Sequence, residues 1–499
     1  MSISISSSAS IRGPARWLLP LCAGAGAYLF FLSAGAIMLR DSDSLWQIKV
    51  GQWILDHGAM PYTDIYSFTR FGEPWMSSSW LSQVLFALAY GPSDWAGPVI
   101  LSSLAIGALV AIFIYLISPY FEPTHAIAIA TLALLQSASH FLARPHMLAM
   151  PVMLAFVGGL MAAADRRSQP SWLLLPLMVL WTNLHGGFVL GLALIGPIGL
   201  AAIWETDASR RFELAARWAL FGFAALAASC CTPYGWNSLL GAAKILSLGK
   251  VLSMIGEWKP VDFSSFTFFE ATLLGLIGLA LSGRLKLSMP RIMLLMGLIW
   301  MALTHVRNIE IFAFLAPLVL AKPIAEQFGT VGAAVTRFAA VRPPSYATIL
   351  SVIAIVGAGW ASTSAIVAHQ QFSFTPPPVA AVEILEQRHA QRIFSTAPFG
   401  GYLISRDIKV FIDGRAELYG ERFVTEYYDA IEARNVDELL RMLDAHRIDA
   451  TLLDPSSPAA SALDHVKGWK RLYADDIAVI HVRADRTQMG APPAAQMQD

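Results

Sequence analysis

The stretch LRDSDSLWQIKVGQWI, residues 39 to 54, sets two carboxylates one residue apart, Asp41 and Asp43, at the end of a long apolar run. A carboxylate so placed can act as a general base towards a hydroxyl, and a pair can hold a divalent cation, Mg²⁺ or Mn²⁺, through its oxygens. Trp46 follows within one turn, and Trp53, Trp75 and Trp80 come soon after. Tryptophans at this density suit a membrane interface or the face of a sugar ring. Polar clusters break the apolar sequence again at LARPH (142–146), TNLHGG (182–187), CTPYGWN (231–237), GEWKPVD (256–262) and THVRN (304–308). Within them Arg144, His146, His185, His305 and Arg307 stand at the edges of apolar runs, where ionisable groups are costly and point to function. Arginine suits a phosphate through bidentate contact. Each residue has a plainer use: a histidine can bond a helix end, an arginine can snorkel to headgroups, and two aspartates can simply end a helix. Taken together, a base or cation site, a phosphate site and aromatic faces point to transfer of a glycosyl group from a lipid phosphate carrier.

The elements that must position these residues are membrane helices. Hydrophobic residues make up 56% of the 499-residue chain and charged ones 14%, against about 25% charged in soluble domains. Mean hydropathy is +0.54. Apolar runs fall at 17–39, 94–118, 124–141, 146–164, 171–184, 187–204, 212–230, 268–283, 290–304, 308–320 and 347–368, which predicts about eleven transmembrane helices. The first run is too long for a secretory h-region and is expected to stay as an uncleaved helix. With the N-terminus in the cytoplasm, the inner ends gather Arg12, Arg16, Arg166, Arg167, Arg210, Arg211, Arg217, Arg284, Lys286, Arg291, Lys322, Arg337 and Arg342, and the positive-inside rule is met. Every polar cluster above, and the long first loop 40–93, then faces outward. Formal net charge is zero and no basic stripe suggests nucleic acid. Cys22, Cys230 and Cys231 all lie in apolar stretches, which excludes a disulfide framework or a cysteine zinc site.

After Gln371 the composition changes. A proline-rich linker leads to a helix carrying Val379, Val382, Ile384 and Leu385, and RIFSTA, IKVFI, ATLLD and IAVIHV look like strands. Between them NVDELLRMLDAHRI has the spacing of an amphipathic helix with Asn435 or Asp437 near its start. The expected organisation is a transmembrane domain 1–371, an extracytoplasmic α/β domain 372–486 and a disordered tail 487–499. In KVFIDGRAELYG the Asp-Gly pair marks a turn. Asp413 and Arg415 are either turn residues or a grip on an acceptor. TAPFGGYLI could offer backbone N–H groups to an anion. No GxSxG, HExxH or Walker motif occurs.

An uncleaved first helix, RDSDSLW opening a long first outer loop, many further helices and an extracytoplasmic C-terminal domain together resemble the GT-C type of polytopic glycosyltransferase. This group includes protein O-mannosyltransferases, aminoarabinose transferases and the bacterial enzymes grouped as RgtA/B/C/D-like. GAMPYTDIYSFTRFGEPW, with Asp64, resembles the polar stretch in the loops of bacterial members. The resemblance implies a polyprenyl-phosphate-linked sugar donor, a lipid or glycan acceptor in the cell envelope, and a multi-pass protein of the inner membrane. It gives Asp43, then Asp41, the catalytic role. Arg307 and Arg144 would hold the leaving phosphate, with His185, His305, His146 and Trp46 lining the site. The chain lacks the HPP-like triplet of some mannosyltransferases and the WWDYG-type motif of oligosaccharyltransferases, which argues against protein N-glycosylation. Two rivals remain, a transporter or flippase of a lipid-linked glycan and a non-catalytic membrane protein whose C-terminal domain binds glycan or a partner. A transporter would show pseudo-symmetric halves and broken helices at mid-membrane.

Overall fold

The computed structural model describes residues 15–246, 248–254, 256–329, 345–373 and 377–484. The expected tail 487–499 and the charges Arg12, Arg337 and Arg342 lie outside the described residues. The chain forms two compact units. One comprises Met1–Met38, Ala96–Trp236 and Gly256–Phe372, and the other Leu39–Trp95, Asn237–Ile255 and Ser373–Asp499.

The first unit is helical. Every apolar run read from the sequence lies on a helix there. By length and composition, Ala96–Ile117, Pro145–Asp165, Ala208–Ser229 and Val306–Phe328 can each cross a bilayer, and shorter apolar helices such as Phe188–Trp204 and Met289–Thr304 accompany them. Large apolar side chains point outward, Phe212 at 87% exposed and Leu281 at 83%. Lipid is the solvent that suits such a surface, and the chain is a multi-pass membrane protein. Proline opens the Pro123–Ser137 and Pro145–Asp165 helices, where its missing N–H costs nothing. A capping box of Thr267 and Glu270 starts Phe268–Leu281.

Close backbone approach fixes the first helix. A Cβ on Gly24 would stand 2.6 Å from the Gly107 carbonyl oxygen, and one on Gly107 would stand 2.8 Å from that of Gly24. Small residues let membrane helices meet this closely. The helix runs Ala15–Ser33 and passes into a 3-10 turn over Gly35–Leu39, so it ends before the predicted Leu39. Gly35 is pressed between Val99 and Phe372, where a side chain has no room.

The second unit is an α/β structure. Helix Asp43–His57 ends at left-handed Gly58, and its Trp46, Val50 and Ile54 join one core with residues of the C-terminal segment, among them Leu385, Phe411 and Leu452. The sheet has four strands, β1 (Ile393–Ser395), β2 (Ala450–Leu453), β3 (Trp469–Ala474) and β4 (Val479–Arg483), in the order β1-β2-β4-β3. β1 and β2 are parallel, and the other pairs are antiparallel. Asn435 caps the Val436–Ala445 helix by accepting from the Asp437 N–H at 3.0 Å. Two sequence expectations are corrected. In IKVFI, Val410, Phe411 and Ile412 are buried yet join no sheet. Val410 instead exchanges backbone hydrogen bonds with Tyr66 and Phe68 of the first loop. WKRLYA is the missed edge strand, charged and half-exposed because only one of its sides is covered.

Candidate functional site

In the membrane unit the candidate residues converge on a carboxylate. The residue before a proline is kept extended. Arg144 obeys this (φ −125°, ψ 159°), so its side chain stands at the mouth of the Pro145–Asp165 helix. Arg307 lies in the 3-10 turn Val306–Asn308, just ahead of the Ile309–Phe328 helix. Glu257 bridges the two. Arg144 Nη1 donates to Oε2 at 3.1 Å and Arg307 Nη1 to Oε1 at 3.2 Å. Arg307 also sits 4.5 Å above the Trp258 ring, a cation–π contact. The 256–258 turn is held by backbone bonds between Lys259 and Val306 and between Val261 and Leu303. The side chains of Arg144, Glu257 and Arg307 keep 18%, 32% and 26% of their surface, so a ligand can reach them.

The histidines belong to the same cluster. His305 Nδ1 lies 2.7 Å from the Trp258 carbonyl oxygen and donates to it. His146 Nε2 lies 3.0 Å from the His140 carbonyl. His185 Nδ1 accepts the Gly187 N–H at 3.0 Å, and its ring stands 6.4 Å from that of His146. Burial, with Arg307 and His146 beside it, pushes the His185 pKa down to about 3. Burial raises Glu257, but Arg307 and Arg144 outweigh it and hold that carboxyl below its usual range. Glu310 lies one turn beyond Arg307, 7% exposed, with no partner for Oε2. Sequence reasoning singled out the arginines and histidines. It left Glu257 unassigned inside the GEWKPVD cluster and missed Glu310, which looks like any residue of an apolar helix.

A second ion network lies at the other end of the Pro145–Asp165 helix, roughly 30 Å away at 1.5 Å per residue. Arg291, 2% exposed, pairs with Asp165 and Glu205. Lys322 donates to the Asp165 carbonyl at 2.7 Å. Arg291, counted from sequence as a topology charge, is a buried brace. An apolar groove of about 580 Å³ runs along Phe188–Trp204 and Ala208–Ser229, lined by Leu192, Ile195, Gly199, Trp218, Gly222 and Phe223.

In the other unit, Asp41 and Asp43 open helix Asp43–His57. The Asp43 N–H donates to Asp41 Oδ1 at 2.9 Å, and Trp46 Nε1 donates to Asp43 Oδ1 at 3.0 Å. A carboxylate in a first turn also faces the positive end of the helix. A Cβ on Gly414 would come within 2.5 Å of Asp43 Oδ1, and one on Gly401 within 2.0 Å of the Ser42 carbonyl oxygen. The Asp-Gly pair thus lets the chain pass close against Asp43. TAPFGGYLI forms the short helix Gly400–Ser405 packed on Ser42, with no open N-terminus for an anion.

Of the two readings of Asp413 and Arg415, turn residues or an acceptor grip, the contacts fit a structural one, and Asp64 joins them. Arg415 is 1% exposed and holds Asp413 through Nε and Nη2 at 2.9 and 2.6 Å. Its Nη1 donates to Asp64 at 2.7 Å. Tyr419 donates to Asp413 at 2.9 Å, and Trp75 lies 4.7 Å from the guanidinium. With no exposed surface the three form an internal brace that ties the first loop to the C-terminal segment. Among the described residues no group of three or more His, Cys, Asp or Glu could hold a metal ion. A cation on Asp41 and Asp43 would draw its other oxygens from substrate or water.

No family model matches the chain, and no curated protein matches it. Among solved structures, the archaeal oligosaccharyltransferase AglB from Archaeoglobus fulgidus, in complex with an inhibitory peptide and a dolichol-phosphate, is similar over 94% of this chain and 75% of that one, with a TM-score of 0.50 and 10% identity. The chain shares the backbone fold of that membrane oligosaccharyltransferase over most of its length. At this identity the likeness is one of backbone, so the roles of side chains rest on the geometry above.

Proposed function

We propose that this protein is a membrane glycosyltransferase that moves a sugar from a polyprenyl-phosphate donor to a cell-envelope acceptor at the outer face of the inner membrane. The observation that carries this is the pair Arg144 and Arg307, drawn together at helix mouths and open to a ligand, in a chain of GT-C fold. Two guanidiniums can hold a lipid phosphate and stabilise the charge that grows on it as the glycosidic bond breaks. The apolar groove suits the isoprenoid chain of such a donor. Asp43 would take the proton of the acceptor hydroxyl, with Asp41 fixing its backbone, or the two would hold a divalent cation. His146, His185 and His305 would line the phosphate seat as neutral hydrogen-bonding groups. In this topology the N-terminus is cytoplasmic and the C-terminal segment extracytoplasmic.

The test is glycosyl transfer in membranes carrying wild type, Asp41→Asn, Asp43→Asn and Arg307→Gln at matched expression. Mass spectrometry of envelope glycolipids and polysaccharides is read against a deletion strain. Deletion should remove a sugar. Asp43→Asn should slow transfer by about 10²–10⁴-fold, and Arg307→Gln by about 10²–10³-fold. Full restoration by both Asn variants would make the aspartates structural and favour a transporter or a scaffold.

A further inference from the structure

Glu257 offers its two carboxylate oxygens singly, one to each arginine, at 3.1 and 3.2 Å. Two non-bridging oxygens of a phosphate ester would engage the same fork. Among the described residues the Glu257 carboxylate has no hydrogen-bond partner but these two guanidiniums, and about a third of the side chain is exposed. It can therefore swing away without breaking any other bond. The arginines stay behind, Arg307 against Trp258 and Arg144 at the start of its helix.

Resting on the transferase function proposed above, we infer that Glu257 is a built-in stand-in for the lipid phosphate: it occupies the arginine pair when the site is empty, yields it to the donor, and takes it back to expel the product. The charges support this. A phosphodiester donor carries one negative charge and replaces Glu257 like for like. The monophosphate left after transfer has a second ionisation near pH 6 and carries close to two. It grips two arginines harder than the donor does, so release needs a competitor.

Affinity for a site that is only partly available falls by the available fraction. If Glu257 holds the arginines about nine-tenths of the time, its removal should tighten phosphate binding about tenfold. The experiment is equilibrium binding of farnesyl phosphate to the purified full-length protein in detergent, with uncharged farnesol as control. Glu257→Gln keeps the shape and should bind about tenfold tighter. Glu257→Asp keeps the charge but is too short to span both arginines, and should lie between wild type and Glu257→Gln. Arg307→Gln should lose the preference over farnesol. In turnover, Glu257→Gln should lower KM, lower kcat and sharpen inhibition by farnesyl phosphate, whereas Arg307→Gln should raise KM. Equal or weaker binding by both Glu257 variants would overturn the inference, because the carboxylate would then be positioning the arginines. If wild type and Glu257→Gln both bind farnesyl phosphate no better than farnesol, the arginine pair is not a phosphate site. The transferase function then falls and the inference with it.

Discussion

His185 is half-buried with Arg307 nearby, and that decides what it can do. With its pKa near 3 against an ordinary 6.5, it stays neutral across physiological pH and can give or accept a hydrogen bond but cannot carry a proton. The sign of its effect on stability follows. The unfolded chain takes up a proton below about pH 6.5 and the folded one does not until about pH 3. Its contribution is therefore complete above pH 6.5 and is lost at about 1.4 kcal/mol per pH unit as pH falls through that window. Thermal melts from pH 7 to 4 should show a shallower decline for His185→Asn than for wild type. Arg415 offers a second test. Arg415→Met leaves Asp64 and Asp413 buried without their cation. It should cost about 3–5 kcal/mol, read as a lower melting temperature in detergent.

Between elements, backbone proximity matters more than any single side chain. The first helix and Ala96–Ile117 meet at Gly24 and Gly107 with carbonyl oxygens where side chains would stand. A leucine at either position must push backbone aside, because no flexible side chain is there to yield. Gly24→Leu should destabilise by about 1–3 kcal/mol, and Gly26→Leu, facing open space, should not. A melt of the two variants compares them directly. Asn435→Ala removes the cap of the Val436–Ala445 helix and should cost about 1 kcal/mol.

At the scale of the molecule, three stretches of sequence build the second unit. Trp46, Val50, Ile54 and Trp75 of the first loop share a core with Leu403, Phe411, Tyr419 and Leu452. Residues 377–484 expressed alone would expose that apolar surface. Such a fragment should bind a hydrophobic dye and show poor near-UV dichroism. Fusing residues 40–95 to it should restore sharp dichroism. A fragment that folds tightly on its own would show that the loop only decorates the unit.

The sequence by itself determined the helices, because apolar runs of this length have one stable state in lipid. It also determined β1, β2 and β4, the capped helix at Asn435, and which arginines and histidines stand at helix ends. Those signals are local, carried by composition, period and the residue beside a proline. Only the tertiary structure decided their partners. Nothing near GEW in the sequence tells that Glu257 lies between Arg144 and Arg307, more than a hundred and about fifty positions away. Nor does IKVFI disclose that its backbone partner is the first loop rather than a sheet. Arg415 and Asp413 look like an open turn until Asp64, 351 residues from Arg415, closes over them. A charge finds its counter-charge through the packing of elements distant in sequence, and whether it ends as a buried brace or an open seat depends on what covers it.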